Sequence, residues 1–140
     1  KMSYKIIGKY IKKIIFNIPD PKTFFLLSKN ISNYKINIDI KSEQIKEKII
    51  EVQTTLNLTP LKQEPEIIDT KITFATIIEL SKEINNKKDI EKIVLIKIPQ
   101  EIYPELRKIF VFVFENSGFK DVKISESVDF QKLYDLRKVQ

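Results

Sequence analysis

From residue 4 to residue 18 the chain alternates with period two. Tyr4, Ile6, Gly8, Tyr10, Lys12, Ile14, Phe16 and Ile18 fall on one side, and Lys5, Ile7, Lys9, Ile11, Lys13, Ile15 and Asn17 on the other. Alternation in a run rich in β-branched and aromatic residues predicts a long strand. Its even side, mostly apolar, is expected to be buried. Its odd side is expected to be exposed and adhesive through Ile7, Ile11 and Ile15, either at an edge or oligomer contact or at a partner site. Residues 34–40 alternate again, with Tyr34, Ile36, Ile38 and Ile40 opposite Lys35, Asn37 and Asp39, which predicts a half-buried second strand. Residues 48–59 repeat the pattern through Ile50, Val52, Leu56 and Leu58 until Pro60 stops it. Residues 67–80 are expected to form a fourth strand, with Ile68, Thr70, Ile72, Phe74, Thr76, Ile78 and Leu80 on one face and Ala75 and Ile77 on the other.

Between the first two strands stands PDPKTFFLLSKN, residues 19–30, which reads as a crossover loop. It nevertheless carries four consecutive large apolar residues, Phe24, Phe25, Leu26 and Leu27. Residues 81–92 read as a polar loop, and 93–98 as a short extended segment. The period then becomes helical. Ile102, Leu106, Ile109, Phe110, Val113 and Phe114 recur at three- and four-residue intervals after Pro99 and Pro104, and Gly118 offers a C-terminal cap. Val111 and Phe112 lie off that stripe, so the helix needs cover on two sides. A second helix is predicted from about Asp129, capped by Ser127 or Asp129. Four strands followed by two helices is an α+β arrangement: one antiparallel sheet, a crossover between its first two strands, and two C-terminal helices.

With 140 residues and 42% hydrophobic content, a single domain over 1–140 is expected. The absence of Cys and His removes disulfides, thiolate and imidazole catalysis, and most zinc sites. Two glycines leave no phosphate-cradling loop, so no cofactor and no metal are implied. No carboxylates sit in a motif that would tune their protonation, and an enzyme reading is rejected. The longest apolar run, residues 109–114, is far short of a membrane span, and lysines interrupt any signal-peptide core near the start; membrane insertion is not expected and a cytoplasmic protein is. The net charge of +6 is nearly all lysine and dispersed along the chain. It reads as a solvated surface, so nucleic acid is not an expected partner, although a basic nucleic-acid-binding module remains an alternative.

The run Pro99-Gln100-Glu101-Ile102-Tyr103-Pro104-Glu105-Leu106-Arg107 resembles the proline–x–x–aliphatic–aromatic–proline–x–x–arginine motif that opens the long helix of the SecB family of export chaperones. The resemblance continues in register through Gly118-Phe119, Val122, Ile124 and the segment Val128-Asp129-Phe130-Gln131-Lys132-Leu133-Tyr134. Upstream, Tyr10 to Pro19 is similar to the family's first strand, and Ile36 to Ile40 to its second.

That resemblance implies a homo-tetramer, a dimer of dimers, acting as an ATP-independent holdase for unfolded polypeptides or preproteins. It implies a client groove at Phe24, Phe25, Leu26, Leu27, Ile38, Ile40, Leu133 and Tyr134, with a local plug as the alternative for the four crossover residues and ordinary core packing for the other four. It implies an oligomer interface at Phe74, Thr76, Ile78, Leu80, Val111 and Phe112. Arg107 reads as a structural ion-pair partner. The family's hand-over to SecA uses acidic and apolar residues on the open face of the sheet. The aligned Lys13, Asn17, Ala75 and Ile77 include no acid, which leaves SecA as a partner without the usual electrostatic contact. A SecB-like chaperone dedicated to one partner, such as an antitoxin, is the alternative reading.

Overall fold

The computed structural model describes residues 3–31, 34–60, 69–120 and 122–139. Four strands, β1 (Tyr4–Asn17), β2 (Tyr34–Lys46), β3 (Ile49–Pro60) and β4 (Asp69–Leu80), form one antiparallel sheet in the order β1-β4-β3-β2. Ile68, expected in the fourth strand, and the connection 61–66 lie outside the described residues.

This order places β1 and β2 on opposite edges, so the chain between them crosses the whole sheet. The crossover is a helix, α1 (Pro21–Asn30), where a loop was expected. Its start is encoded locally. Asp20 is extended and its Oδ1 accepts the Thr23 N–H at 2.7 Å, while Pro21 occupies the first helical position, where an N–H has no partner to lose. The same hydrogen bond draws the Asp20 carboxyl below its ordinary range. Helical geometry then separates the four apolar residues. Leu27 is buried, Phe24 half-buried, and Phe25 and Leu26 are exposed. Phe24 packs against Phe119 with ring centroids 5.0 Å apart. It lies so close to Gly118, whose φ is +97°, that a Cβ there would sit 3.0 Å from the ring. Gly118 therefore serves both the left-handed turn after the long helix and the seat of Phe24.

From Lys87 to Glu115 the chain is helical without interruption: α2 (Lys87–Lys92), a π-helical turn over Ile93–Lys97, and α3 (Ile98–Glu115). The extended segment expected at 93–98 is this wide turn. Asn86 starts α2 by accepting the Lys88 N–H at 2.7 Å. In the turn, Ile98 donates its N–H to the carbonyl of Ile93, five residues back. Pro99 follows; it has no N–H to donate and its ring crowds the carbonyl four residues back, so a locally wider helix accommodates it. The last helix is α4 (Phe130–Val139).

α3 lies on one face of the sheet. Its stripe Ile98, Ile102, Leu106, Phe110 and Phe114 is buried against Val52 and Leu56 of β3 and Ile72, Phe74 and Ile78 of β4. Phe74, Thr76, Ile78 and Leu80, expected at a subunit interface, are thereby buried in the chain's own core and have no surface left for a neighbour. Of that expected set, Val111 is half-buried and Phe112 is 64% exposed.

The single alternation expected along β1 is broken by two bulges, between Ile6 and Gly8 and between Ile11 and Lys13. Each inserts one residue and exchanges the faces. Lys9 and Ile11 therefore point to the helix side, opposite Thr76 and Phe74, whereas Gly8 and Tyr10 point to the open side, opposite Ile77 and Ala75. The even side of β1 is accordingly not uniformly buried: Tyr10, Lys12 and Ile14 are all exposed. The second bulge brings Lys12 and Tyr10 to one buried acid. Glu51 of β3, 5% exposed, accepts from Lys12 Nζ at 2.7 Å, from Gln53 Nε2 at 2.8 Å and from the Tyr10 hydroxyl. The Lys12 and Tyr10 hydrogen bonds hold the Glu51 carboxyl below its ordinary value of 4.5. A depressed folded value means that Glu51 contributes stability above pH 4.5, and that this contribution is lost as the pH falls below that value. Unfolding by urea at neutral pH and in acid is expected to show it: Glu51→Gln lowers the midpoint at neutral pH and flattens the acid decline. Parallel pH profiles for the two proteins would remove Glu51 from the account.

Candidate functional site

α4 is positioned by the segment that precedes it. Arg107 Nε and Nη2 both donate to the carbonyl of Ile124, at 3.2 and 3.1 Å, and the Tyr103 hydroxyl donates to the carbonyl of Ser125 at 2.6 Å. Arg107, expected in an ion pair, instead holds backbone. Tyr103 and Phe130 pack edge to face with centroids 6.0 Å apart, and burial pushes the Tyr103 hydroxyl pKa up. Between Ser127 and Asp129, the cap is Asp129, whose Oδ1 accepts the Lys132 N–H at 3.0 Å. Helix α4 is thereby seated with Phe130 and Tyr134 inward and Leu133 outward.

Two adjoining cavities open between α4, the edge strand β2 and the α2–π-turn segment. The larger, about 740 Å³, has an apolar lining of Ile40, Ile90, Val94, Leu95 and Tyr134, with Lys41, Lys87, Glu91 and Arg137 among its polar groups. The smaller, about 260 Å³, adds Ile38, Phe130 and Leu133, and shares Ile40, Leu95, Tyr134 and Arg137 with the first. The shared residues make one groove of two compartments. Tyr134 lies between them; its hydroxyl donates to Glu91 Oε1 at 2.9 Å, tying α4 to α2, and burial followed by that bond raises its pKa.

Of the residues expected to form a client groove, Ile38, Ile40, Leu133 and Tyr134 come together here. Phe24, Phe25, Leu26 and Leu27 line neither cavity. Ile90, Val94, Leu95 and Arg137 were missed by the reading of the sequence. Their signal was present in the helical spacing Ile90, Val94, Ile98 behind the cap Asn86. It was obscured because Lys, Glu and Asn dominate residues 81–92. Among the expected partner-face residues, Lys13 and Asn17 are exposed and Ile77 is partly exposed. Ala75 is fully buried, in register between Tyr10 and Gln53, and offers nothing to a partner.

Among the described residues there is no group of three or more acidic, His or Cys side chains able to hold a metal, and no helix long and apolar enough to cross a membrane. The family profile described as preprotein translocase subunit SecB matches residues 1–140. The chain belongs to the SecB family. It is 38% identical over 138 residues to the putative protein-export protein SecB of Pelagibacter ubique, covering 96% of each chain. It is 22% identical over 143 residues to the protein-export protein SecB of Anaplasma phagocytophilum, covering 94% of this chain and 90% of the relative. Among solved structures it is similar to a Mycobacterium tuberculosis SecB-like chaperone in complex with a ChAD peptide from an antitoxin. The TM-score is 0.64 with 88% of this chain and 90% of the other covered; at 9% identity the likeness is one of fold. The SecB assignment makes the protein a chaperone for protein export, and the groove its candidate binding site.

The seat of α4 depends on the two-pronged contact of Arg107. Arg107→Lys can make one such bond at most, since an ammonium lacks the planar fork. A loss of about 1–2 kcal/mol is expected, read as a lower urea midpoint with unchanged slope. An unchanged midpoint would show that Tyr103 and Phe130 suffice.

Proposed function

We propose that this SecB-family chaperone holds unfolded polypeptides or preproteins in the groove between β2 and α4, as a single domain acting by binding alone. The observation that carries the reading is the pair of adjoining cavities sharing Ile40, Leu95 and Tyr134. Apolar walls of this kind bind through buried area, about 25 cal/mol per Å², and so accept many sequences. Neither ATP nor a metal enters such a cycle, and the site of action is the cytoplasm, before translocation.

The oligomer belongs to the same proposal. β1 is an edge strand of 14 residues whose outer backbone groups have no strand partner among the described residues. Such an edge is a template for pairing. Ile11 and Ile14 are 45% and 46% exposed on its helix side. Phe112 lies on the row of α3 that also carries Glu101 and Glu105, which reach β1 through Tyr4 and Lys9. A second copy and then a dimer of dimers would cover this strip, with contacts at Phe112, Val111 and the β1 edge. Hand-over to SecA through an acidic face is not part of the reading, because Lys13 and Asn17 are not acids and Ala75 is buried.

Suppression of the aggregation of an unfolded model protein, without ATP, tests the groove. The wild type is expected to suppress, and Ile40→Ser/Leu133→Ser to bind clients about a hundredfold or more weakly, the cost of losing two apolar contacts at roughly 1.5–3 kcal/mol each. Phe25→Ser is expected to leave suppression within about twofold, since that side chain lies outside the groove. No suppression by the wild type would sink the holdase reading. Light scattering tests the assembly: Phe112→Asp is expected to lower the mass, and an unchanged mass would move the interface elsewhere.

A further inference from the structure

On the side of the sheet away from α3, the strands leave an open basin of about 360 Å³ whose lining contains no aliphatic or aromatic residue. Lys13 of β1 stands opposite Thr73 of β4, Thr73 opposite Thr55 of β3, and Thr55 opposite Asp39 of β2. The two threonine hydroxyls are hydrogen bonded at 2.8 Å. Lys71 and Lys41 complete the basin's cations, and Asp39 is the one acid in its lining. These lysines differ from their neighbours in the same sheet. Lys5, Lys9 and Lys12 are each bridged to a carboxylate, at 3.4, 3.1 and 2.7 Å. Among the described residues Lys13, Lys41 and Lys71 have no such bridge.

We propose that this basin docks an acidic polypeptide segment in extended conformation. Three ammonium groups against one carboxylate leave a local excess of two positive charges. The amides and hydroxyls between them supply hydrogen-bond donors without an apolar cluster for a hydrophobic partner. The dimensions agree. Lys13 and Lys41 lie on opposite edge strands of the four-stranded sheet, three strand spacings apart and, because Asp39 is the residue in register with Lys13, two residues offset along the strands, about 16 Å in all. An extended chain places side chains of one side about 7 Å apart, so carboxylates at positions i and i+4 span about 14 Å, close enough for the flexible side chains of both edge lysines to reach, with Lys71 standing to one side of that line. A nucleic acid is served less well, because the basin has no ring on which a base could stack and too few cations for a long phosphate run. The inference does not depend on the groove, which lies at the β2 edge and shares with the basin Lys41 and Asp39.

Fluorescence anisotropy with labelled peptides of about ten residues, length enough to cross the sheet, tests the proposal. One carries Glu at alternate positions, a second Lys at the same positions, and a third probe is a single-stranded oligothymidylate. The acidic peptide is expected to bind, and to weaken about tenfold or more between low and physiological salt. Lys13→Glu/Lys71→Glu is expected to abolish that binding, and Lys13→Gln/Lys71→Gln to weaken it, while both keep the wild-type unfolding midpoint and aggregation suppression. Equal binding of acidic and basic peptides would overturn the proposal, as would unchanged binding by the glutamate variant or tighter binding of the oligothymidylate than of the acidic peptide.

Discussion

The contact of α3 with the two middle strands is the constraint from which the other surfaces follow. Ile102, Leu106, Phe110 and Phe114 are almost wholly buried against β3 and β4. Each such side chain contributes about 1.5–3 kcal/mol relative to exposure. A helix with its side chains is about 10 Å across and strands are about 4.8 Å apart, so one helix covers about two strands. The edge strands of a four-stranded sheet are then left with incomplete cover on the same face. On β2 this leaves Ile38 and Ile40 half-buried, and α4 closes over them partially to make the groove. On β1 it leaves Ile11 and Ile14 exposed. The groove and the exposed β1 edge are two results of one mismatch in width.

Polar groups maintain what the apolar contact begins. The backbone carbonyls of Ile124 and Ser125 are taken up by Arg107 and Tyr103, which converts an irregular connection into a fixed approach for α4. On the opposite face Glu51 joins β1 to β3 through Lys12 and Tyr10. A buried carboxylate with three donors is tolerable where one without them would not be. The cluster thus fixes the second bulge of β1, and with it the face on which Lys13 stands.

The reading of the sequence succeeded where a period was long and uninterrupted. β2, β3 and β4 alternate cleanly, and α3 repeats its apolar stripe over five turns from Ile98 to Phe114. It failed where one local signal outweighed another. PDPKTFFLLSKN has two prolines and reads as a loop, yet Asp20 and Pro21 are a helix start. Residues 87–98 are helical although lysines and a proline argue otherwise. In β1 the alternation continued through two bulges that leave no mark in the composition, so Gly8, Lys9, Tyr10 and Ile11, between them, were assigned to the wrong face. The groove was legible in part: Ile38, Ile40, Leu133 and Tyr134 were named from the motifs, while the residues of the 87–97 segment were hidden with their helix.

By itself the sequence determined the four strands and the two C-terminal helices in their order, the buried stripe of α3, and the exclusion of thiolate and imidazole chemistry, because these depend on residue type and spacing within short windows. Tertiary structure decided which apolar residues are spare. Phe74 and Ile78 have the same chemistry as Ile38 and Ile40, and only their place under the middle or at the edge of a helix-covered sheet separates core from groove. It also decided which lysines are paired, since Lys12 and Lys13 are neighbours in the chain and a bulge sends one to Glu51 and leaves the other beside an open basin. Burial and pairing are properties of what lies opposite, and that is set by register and packing across the whole fold.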